Sequence, residues 1–171
     1  MQSAQELIRQ LEGCGAPVWV DGGWAVDALV GRETRPHGDL DIAIEQRHVA
    51  IARALLERRD FRDAARDDTR AWNFVLEHQD GREVDFHVIE INEQGDGVYG
   101  PPELNELYPA ETLTGRGILD GHTVRCLSPH GLIGFRVDYP HPPRERDFHD
   151  VRVVCDHFGI EIPEKYRSDE S

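Results

Sequence analysis

The chain has 171 residues, 39% hydrophobic and 30% charged, a size and composition that favour one folded domain and exclude a disordered or fibrous protein. Its 33 acidic and 19 basic residues give a formal net charge of −14, which repels phosphate backbones and makes extended nucleic acid a poor partner. No secretion signal or membrane span is recognisable, and three distant cysteines form neither a disulfide framework nor a metal pair, so we expect a cytoplasmic protein.

The first half of the chain alternates between helical and extended patterns. Ser3 and the apolar positions after it, spaced by three and four residues, indicate an opening helix. Alternation of apolar and polar residues around Asp41 indicates a half-buried strand. In chain order the predicted elements are a helix at about 4–12, a strand at 17–20, a helix at 24–30, a strand at 40–44, a helix at 47–59, and strands at 71–77 and 82–91 joined by an Asp80-Gly81 turn.

The periodic pattern of apolar and polar residues weakens after the predicted strand at 82–91. Residues 92–121 are rich in glycine, proline and acidic side chains, which predicts a long loop or excursion of the kind that contacts ligands. A strand is predicted at 122–127, and Ser128-Pro129 then marks the start of a helix that ends before Pro140. A last helix is predicted at 144–158. Its buried stripe is predicted to consist of Val151, Val154, Cys155 and Phe158, before a stop at Gly159.

These elements predict a single domain over residues 1–171. Its core occupies about 1–92, followed by the loop-rich excursion at 92–121 and by a C-terminal strand and helices at 122–171. The sequence leaves open whether the chain acts as a monomer or as a homodimer.

Two aspartates on the strand around Asp41 form a candidate metal site. In Asp39-Leu40-Asp41 the two carboxylates project from the same face of the strand, about 6–7 Å apart at their roots, so both can reach one divalent cation. Two such anions repel each other unless a cation or a proton compensates them. Oxygen ligands that leave room for phosphate oxygens suit Mg²⁺.

A second strand carries a similar pattern in the sequence Glu83-Val84-Asp85-Phe86-His87. If this strand neighbours the first, Asp85 completes a carboxylate triad. A third carboxylate can bind a second metal ion or remove the proton from an attacking hydroxyl, as nucleotidyl transfer requires. The alternative is that these acidic residues form the solvated face of an edge sheet. For His87, a supporting role and a role as proton carrier both stay open.

The pair Gly22-Gly23 changes the balance between these alternatives. A strand that ends in two glycines at the start of a helix exposes backbone N–H groups, and the missing Cβ atoms let a phosphate approach. The combination of a glycine pair, a helix and an Asp-x-Asp strand therefore favours a phosphate-transferring site over a solvated sheet face.

Together these features resemble the signature of the DNA polymerase beta-like nucleotidyltransferase superfamily, in which a glycine pair and a helix precede Asp-x-Asp on a strand and a later strand supplies a third aspartate. The segments WVDGGWAVD at 19–27 and GRETRPHGDLD at 31–41 look like the small bacterial lincosamide and aminoglycoside nucleotidyltransferases. Further similarity at 85–87, 125–128 and 147–152 extends the resemblance over most of the chain.

The resemblance implies an α/β (α+β) fold with a mixed sheet flanked by helices and with C-terminal helices. It also implies a nucleoside triphosphate bound through two Mg²⁺ ions, and transfer of the nucleoside monophosphate to a hydroxyl with release of pyrophosphate. By position, Asp39 and Asp41 would hold metal, and Asp85 would be a metal ligand or the general base. Gly22 and Gly23 would cradle the triphosphate, with backbone donors in place of the serine that the superfamily often has at the second position.

Basic residues near the carboxylate strand are candidate phosphate ligands. Arg35 and His37 directly precede that strand, and the alternative for both is a salt bridge to the acidic face of the sheet. Arg146 and Arg152 lie one and a half turns apart on the last helix, so only one of them is expected to face the site. We assign nucleotide binding to Arg146.

The sequence thus predicts a nucleotidyltransferase that transfers AMP from ATP to a hydroxyl of a small, cationic, antibiotic-like acceptor, an aminoglycoside or a lincosamide. The net charge of −14 would attract such a cation, although the same charge also serves solubility. Two alternatives remain: a toxin-type enzyme that modifies RNA or protein, and a nucleotide-binding regulatory module without turnover. The acidic charge disfavours RNA, and the presence of all three carboxylates disfavours a loss of turnover.

Overall fold

The computed structural model describes residues 3–167, and its helices and strands alternate over residues 4–57, before a series of strands and two C-terminal helices. The helices are α1 (Ala4–Gly13), α2 (Gly22–Val30), α3 (Gln46–Glu57), α4 (Pro129–Asp138) and α5 (Glu145–Phe158). The strands are β1 (Val18–Val20), β2 (Asp39–Glu45), β3 (Arg62–Ala64), β4 (Asn73–Glu77), β5 (Glu83–Ile91), β6 (Gly97–Tyr99), β7 (Leu107–Tyr108), β8 (Gly115–Leu119) and β9 (His122–Cys126). Short 3-10 helices cover Pro102–Leu104, Ala110–Thr114 and Glu164–Tyr166. None of the helices in this described part is long and apolar enough to span a bilayer.

Within residues 3–167 the nine strands join in one mixed sheet. Its order is β3-β4-β5-β2-β1-β9-β8, and β6 and β7 extend from β5. At the centre, β2 runs parallel to β5 and antiparallel to β1, while β1 pairs in parallel with β9. The predicted mixed sheet with flanking and C-terminal helices is therefore confirmed.

The two faces of the central strands have different roles. Leu40, Ile42 and Ile44 of β2 are almost fully buried, as are the alternate residues of β5, Val84, Phe86 and Val88. Burial of each such side chain contributes about 1.5–3 kcal/mol, and a slip of one residue would exchange the two faces of a strand. The apolar face thus fixes the register in which the acidic residues on the opposite face meet.

Most of the predicted elements lie within two residues of the observed ones. Within that margin α2 begins at Gly22 rather than at Trp24, so the glycine pair itself forms the first turn of the helix. The predicted ends of the C-terminal helices are confirmed: the Ser128 side chain accepts a hydrogen bond from Gly131 N at the start of α4, and Gly159 ends α5 in a left-handed conformation.

Two sequence predictions about the second half of the chain are wrong, and one edge strand is missing from the predictions. The segment 92–121 is not one continuous loop, because β6, β7, β8 and two 3-10 helices interrupt it. The edge strand β3 was not predicted, since its sequence Arg-Asp-Ala lacks strand-forming residues. Phe158 is 42% exposed, because it is the last residue of α5 and its ring lies against His157.

Candidate active site

The parallel pairing of β2 with β5 brings Asp41 and Asp85 side by side. In this register Asp41 lies opposite Asp85, and Asp39 lies opposite Glu83. Paired strands are about 4.8 Å apart, so the carboxylates of opposed residues on one face can approach the same ion. The condition set by the sequence, that the strand of Asp85 neighbours the strand of Asp41, is met.

Asp41, Asp85 and His87 form a group of oxygen and nitrogen donors that lie within 4.8 Å of one another. The Nε2 atom of His87 is 3.8 Å from Asp41 Oδ1 and 3.9 Å from Asp85 Oδ1, distances longer than a hydrogen bond. Among the described residues, the buried Oδ1 atom of Asp85 has no hydrogen-bond partner. Asp85 therefore keeps an oxygen in this group that is available to a ligand.

Asp39 lies on the same face of β2 but outside this three-residue group. Burial raises the pKa of Asp39, and the nearby charge of Asp41 raises it further, while Arg146 opposes both effects. Asp39 is thus electrostatically part of the carboxylate cluster. Its predicted role as a metal ligand stays a prediction.

The cluster holds more negative charge than its one histidine balances. Burial raises the pKa of Asp85 to about 6. The charge of His87 opposes this shift, while the charges of Asp41 and Asp39 add to it. Burial alone would lower the pKa of His87, but the carboxylates of Asp41, Asp21 and Asp85 raise it to about 9. A divalent cation would compensate this buried excess of negative charge.

Gly22 lets the Asp41 carboxylate lie against the N-terminus of α2. The Asp21 side chain caps this helix by accepting a hydrogen bond from Gly22 N at 2.6 Å. Gly22 has a φ of +59°, and a Cβ atom there would overlap the carboxylate of Asp41. Glycine is therefore required at this position for two reasons: the positive φ of the backbone, and the lack of space for a Cβ atom beside Asp41.

Gly23 makes room for a different part of the site. A Cβ atom at Gly23 would overlap the imidazole of His37 and would lie 2.6 Å from Arg35 Nη2. The segment 35–37 thus folds over the start of α2 and occupies the space that a serine side chain would need. This packing explains why the second position of the pair is glycine in this chain.

A buried network holds His37 in that place. The Nε2 atom of His37 is 2.6 Å from Asp27 Oδ2, and both side chains are at most 2% exposed. The other oxygen of Asp27 accepts hydrogen bonds from Thr34 N at 3.0 Å and from Thr34 Oγ1 at 2.7 Å. Because Nε2 is used by Asp27, the Nδ1 edge of the ring is the one that faces Gly23.

Arg35 is bound to a helix rather than to the sheet. Its Nε and Nη2 atoms each donate to the carboxylate of Asp150 on α5 at 2.8 Å. Asp150 is 1% exposed and also accepts a hydrogen bond from Arg136 Nη2 at 2.6 Å. Arg146 is exposed near the start of α5, and its charge acts on Asp39 and Asp41. The phosphate contacts predicted for these residues stay predictions.

Several residues near this site are absent from the sequence predictions. Asp150 falls one residue before Val151 and four before Val154, so a charge on the buried stripe of α5 was a readable signal for a buried ion pair. Arg136 gave no such signal. The hydroxyl of Tyr108, from the segment predicted as a loop, donates to Asp21 Oδ2 at 3.2 Å and packs over the capped end of α2.

Known families and proteins match this sequence over most of its length. A sequence model of aminoglycoside-2''-adenylyltransferases matches residues 4–170. A lincosamide resistance protein of Staphylococcus haemolyticus is 31% identical over 138 residues, which cover 78% of this chain and 81% of that protein. A 2''-aminoglycoside nucleotidyltransferase of Klebsiella pneumoniae is 28% identical over 172 residues, which cover 95% of this chain and 90% of that protein.

Solved structures share the fold. The lincomycin-bound crystal structure of the lincosamide antibiotic adenylyltransferase LnuA matches with a TM-score of 0.75 at 23% identity, over 91% of this chain and 98% of that chain. The crystal structure of ANT(2")-Ia in complex with adenylyl-2"-tobramycin matches with a TM-score of 0.69 at 23% identity, over 91% and 87%. The resemblance predicted from the sequence is confirmed: the chain belongs to the aminoglycoside-2''-adenylyltransferase family, and it is a nucleotidyltransferase.

Proposed function

We propose that this chain transfers AMP from ATP to a hydroxyl of a small, cationic, antibiotic-like acceptor, an aminoglycoside or a lincosamide, and releases pyrophosphate. The observation that carries the proposal is the pairing of Asp41 with Asp85 beside the N-terminus of α2, with Gly22 making room for Asp41. Metal-binding carboxylates and phosphate-binding backbone N–H groups then meet at one place.

The donor set fits Mg²⁺. Asp41 and Asp85 supply carboxylate oxygens, one of which is buried without a hydrogen-bond partner in the described part of the chain, and Asp39 lies on the same face. Hard oxygen ligands are those that Mg²⁺ prefers. We assign two Mg²⁺ ions to these three aspartates, which would supply Lewis-acid neutralisation of the charge on the transferred phosphoryl group and on the leaving pyrophosphate.

The protein's own groups bind and orient the reactants. Gly22 and Gly23 begin α2 and cradle the triphosphate. Because Gly22 N donates to Asp21 Oδ1, we assign the backbone contact to the N–H of Gly23, aided by the positive end of the helix dipole. Asp85 takes the proton of the acceptor hydroxyl while its oxygen attacks the α-phosphorus in line with the departing pyrophosphate. The phosphorus–oxygen bond to pyrophosphate breaks as the bond to the acceptor forms, and the proton passes to solvent.

The acceptor class rests on charge and on the relatives. The chain carries a net charge of −14, which favours the approach of cations. Among the relatives, one is called a lincosamide resistance protein and another a 2''-aminoglycoside nucleotidyltransferase. Both drug classes are therefore first choices for a test.

The decisive assay measures pyrophosphate release with ATP, GTP, CTP or UTP and Mg²⁺ against a panel of aminoglycosides and lincosamides. We expect release with ATP that depends on one acceptor class. A variant that combines Asp39→Asn with Asp41→Asn serves as the control, and its rate should be at least about 10³-fold lower because the metal ligands are lost.

Other outcomes would point to the alternatives. Transfer of label from α-labelled ATP to RNA or protein, with no drug product, would favour a macromolecular acceptor. Nucleotide binding without pyrophosphate release for any acceptor would favour a regulatory module and contradict the proposed reaction.

A further inference from the structure

Two arginines share one buried carboxylate beside the glycine pair. Arg35 comes from the segment after α2, Arg136 from α4 and Asp150 from α5. Asp150 is 1% exposed, and it accepts two hydrogen bonds from Arg35 at 2.8 Å and one from Arg136 at 2.6 Å. One anion therefore faces two cations, and the cluster of Arg35, Arg136 and Asp150 carries an excess positive charge.

The two guanidinium groups keep unused donors. Each arginine has five N–H donors in a fixed plane. Asp150 accepts from two nitrogens of Arg35 but from only one nitrogen of Arg136. Within residues 3–167, the buried Nε atom of Arg136 has no hydrogen-bond partner. The side chains of Arg35 and Arg136 are still 21% and 16% exposed, so each can reach a ligand from its partly buried position.

The position of the cluster places it next to the reaction centre. Arg35 Nη2 would lie 2.6 Å from a Cβ atom on Gly23. Burial raises the pKa of Asp41, but His87, then Arg136 and Arg146, lower it below its usual value, so the field of Arg136 reaches the metal-binding carboxylate. Arg35 and Arg136 thus lie on the glycine side of the site.

We propose that Arg136, together with Arg35, binds the end of the nucleoside triphosphate that leaves as pyrophosphate, and that Asp150 is the positioning residue for both arginines. This inference rests on the proposed function. Asp85 lies on β5 and marks the side at which the acceptor hydroxyl attacks, so the leaving group extends in the opposite direction, toward the glycine pair. A planar guanidinium with free N–H groups matches the oxygens of a phosphate.

A purely structural role is the competing explanation. The same ion pairs tie α4, α5 and the segment after α2 together, and that alone gives a reason for the arginines to be present. The two explanations differ in ligand dependence. A phosphate clamp affects triphosphate binding more than monophosphate binding, whereas a structural tie affects both nucleotides equally or neither.

The test compares ATP and AMP affinities of the wild type and of Arg136→Gln by titration calorimetry with Mg²⁺. The variant keeps the Arg35–Asp150 pair, so Asp150 remains neutralised and the chain should fold. We expect the Kd for ATP to rise about tenfold, as for the loss of a charge-assisted hydrogen bond, while the Kd for AMP changes less than about twofold. Arg136→Lys should give an intermediate Kd for ATP because it retains the charge but not the planar donors.

Arg53→Gln is the matched control. Arg53 Nη2 donates to both oxygens of Asp63 at 2.8 and 2.7 Å, so this variant also removes an arginine–carboxylate pair, but on α3 and outside the cluster. Its affinities for ATP and AMP should equal those of the wild type.

Two results would overturn the inference, and they are distinguishable. Unchanged ATP affinity in Arg136→Gln, or an equal loss for ATP and AMP with a lower melting temperature, would make Arg136 a structural residue and leave the proposed function intact. If the wild type itself binds no nucleoside triphosphate, the proposed function fails and the clamp fails with it.

Discussion

Two pairs of carboxylates in the same part of the molecule differ in how fully their oxygens are hydrogen-bonded. Asp27 and Asp150 are each 1% exposed, and each has both oxygens within 3.0 Å of donors or of a histidine ring. Asp41 and Asp85 face the His87 ring at 3.8 and 3.9 Å, and in the described part of the chain one oxygen of Asp85 has no partner. Every carboxylate oxygen of the first pair has a partner, so we call this pair saturated. We call the second pair unsaturated, because one of its oxygens has no partner in the described part of the chain.

This difference separates carboxylates whose partners the protein itself supplies from carboxylates that a ligand can complete. A buried carboxylate destabilises the fold unless hydrogen bonds and opposite charges replace its water, and a saturated carboxylate then joins the elements that supply its partners. An unsaturated cluster gains nothing for folding and persists where a ligand completes it. The same substitution, aspartate to asparagine, should therefore have opposite consequences in the two pairs.

The largest expected effect is on catalysis, in Asp85→Asn. The substitution removes a metal ligand or the acceptor of the hydroxyl proton, so we expect the rate of pyrophosphate release to fall about 10³-fold or more. The melting temperature should not fall, because the amide relieves repulsion with Asp41 and Asp39 at nearly the same volume. Steady-state kinetics and calorimetric melting measure the two quantities.

Glu83→Gln is the control for this variant. Glu83 lies on β5 opposite Asp39, two residues before Asp85, but its carboxylate pairs with the exposed Arg66. Its turnover should stay within about twofold of the wild type, because a surface ion pair contributes little. If Asp85→Asn kept wild-type turnover, Asp85 would have neither of the roles assigned to it.

The next effect is on stability, in Asp150→Asn. This change leaves the guanidinium groups of Arg35 and Arg136 without their shared carboxylate in a largely buried place. Breaking a buried pair costs about 3 kcal/mol of the free energy of unfolding, which urea denaturation measures. Asp63→Asn, at a carboxylate that is 69% exposed, is the control and should cost less than about 1 kcal/mol. Equal and small losses in both variants would remove the distinction between saturated and surface carboxylates.

The residues that the sequence predicted and those that it did not differ in the kind of element that positions them. The placement of Asp39, Asp41 and Asp85 on one face is predictable because strand alternation fixes the face on which each lies and because the apolar face fixes the register. Asp150 and Arg136 come from two successive helices, and Arg35 is 115 residues before Asp150. That pairing depends on how helices pack, which no local pattern encodes.

The missed strands in 92–121 have a similar explanation. Gly115 and Gly117 belong to the glycine-rich composition that predicts a loop at 92–121, but both lie in β8. A Cβ atom at Gly117 would lie 2.4 Å from backbone atoms of Ala28, so glycine allows α2 and β8 to approach closely. Glycine chosen for close packing and glycine chosen for a turn look the same in a sequence. The same segment supplies Tyr108 to the site, which the prediction of a loop could not assign.

The smallest effect is the pH dependence of the stability that Asp150 provides. Burial raises the pKa of Asp150, but its hydrogen bonds to Arg35 and the charge of Arg136 outweigh burial and hold the pKa below its usual value. A carboxylate with a lowered folded-state pKa stabilises the protein above its unfolded pKa of about 3.9, and this stabilisation is lost as the pH falls through the folded value.

The gap in unfolding free energy between the wild type and Asp150→Asn should therefore be constant from about pH 7 to pH 5 and shrink below about pH 4, where protonated aspartic acid and asparagine are both neutral. Urea denaturation of both proteins at each pH measures this gap, and other titrating carboxylates cancel because both proteins contain them. For Asp63→Asn, the difference in unfolding free energy from the wild type should be small at every pH. If the gap for Asp150→Asn instead stays constant into strong acid, the residue acts through its shape and hydrogen bonds rather than through its charge. The comparison between saturated and unsaturated carboxylates would then lose its electrostatic basis.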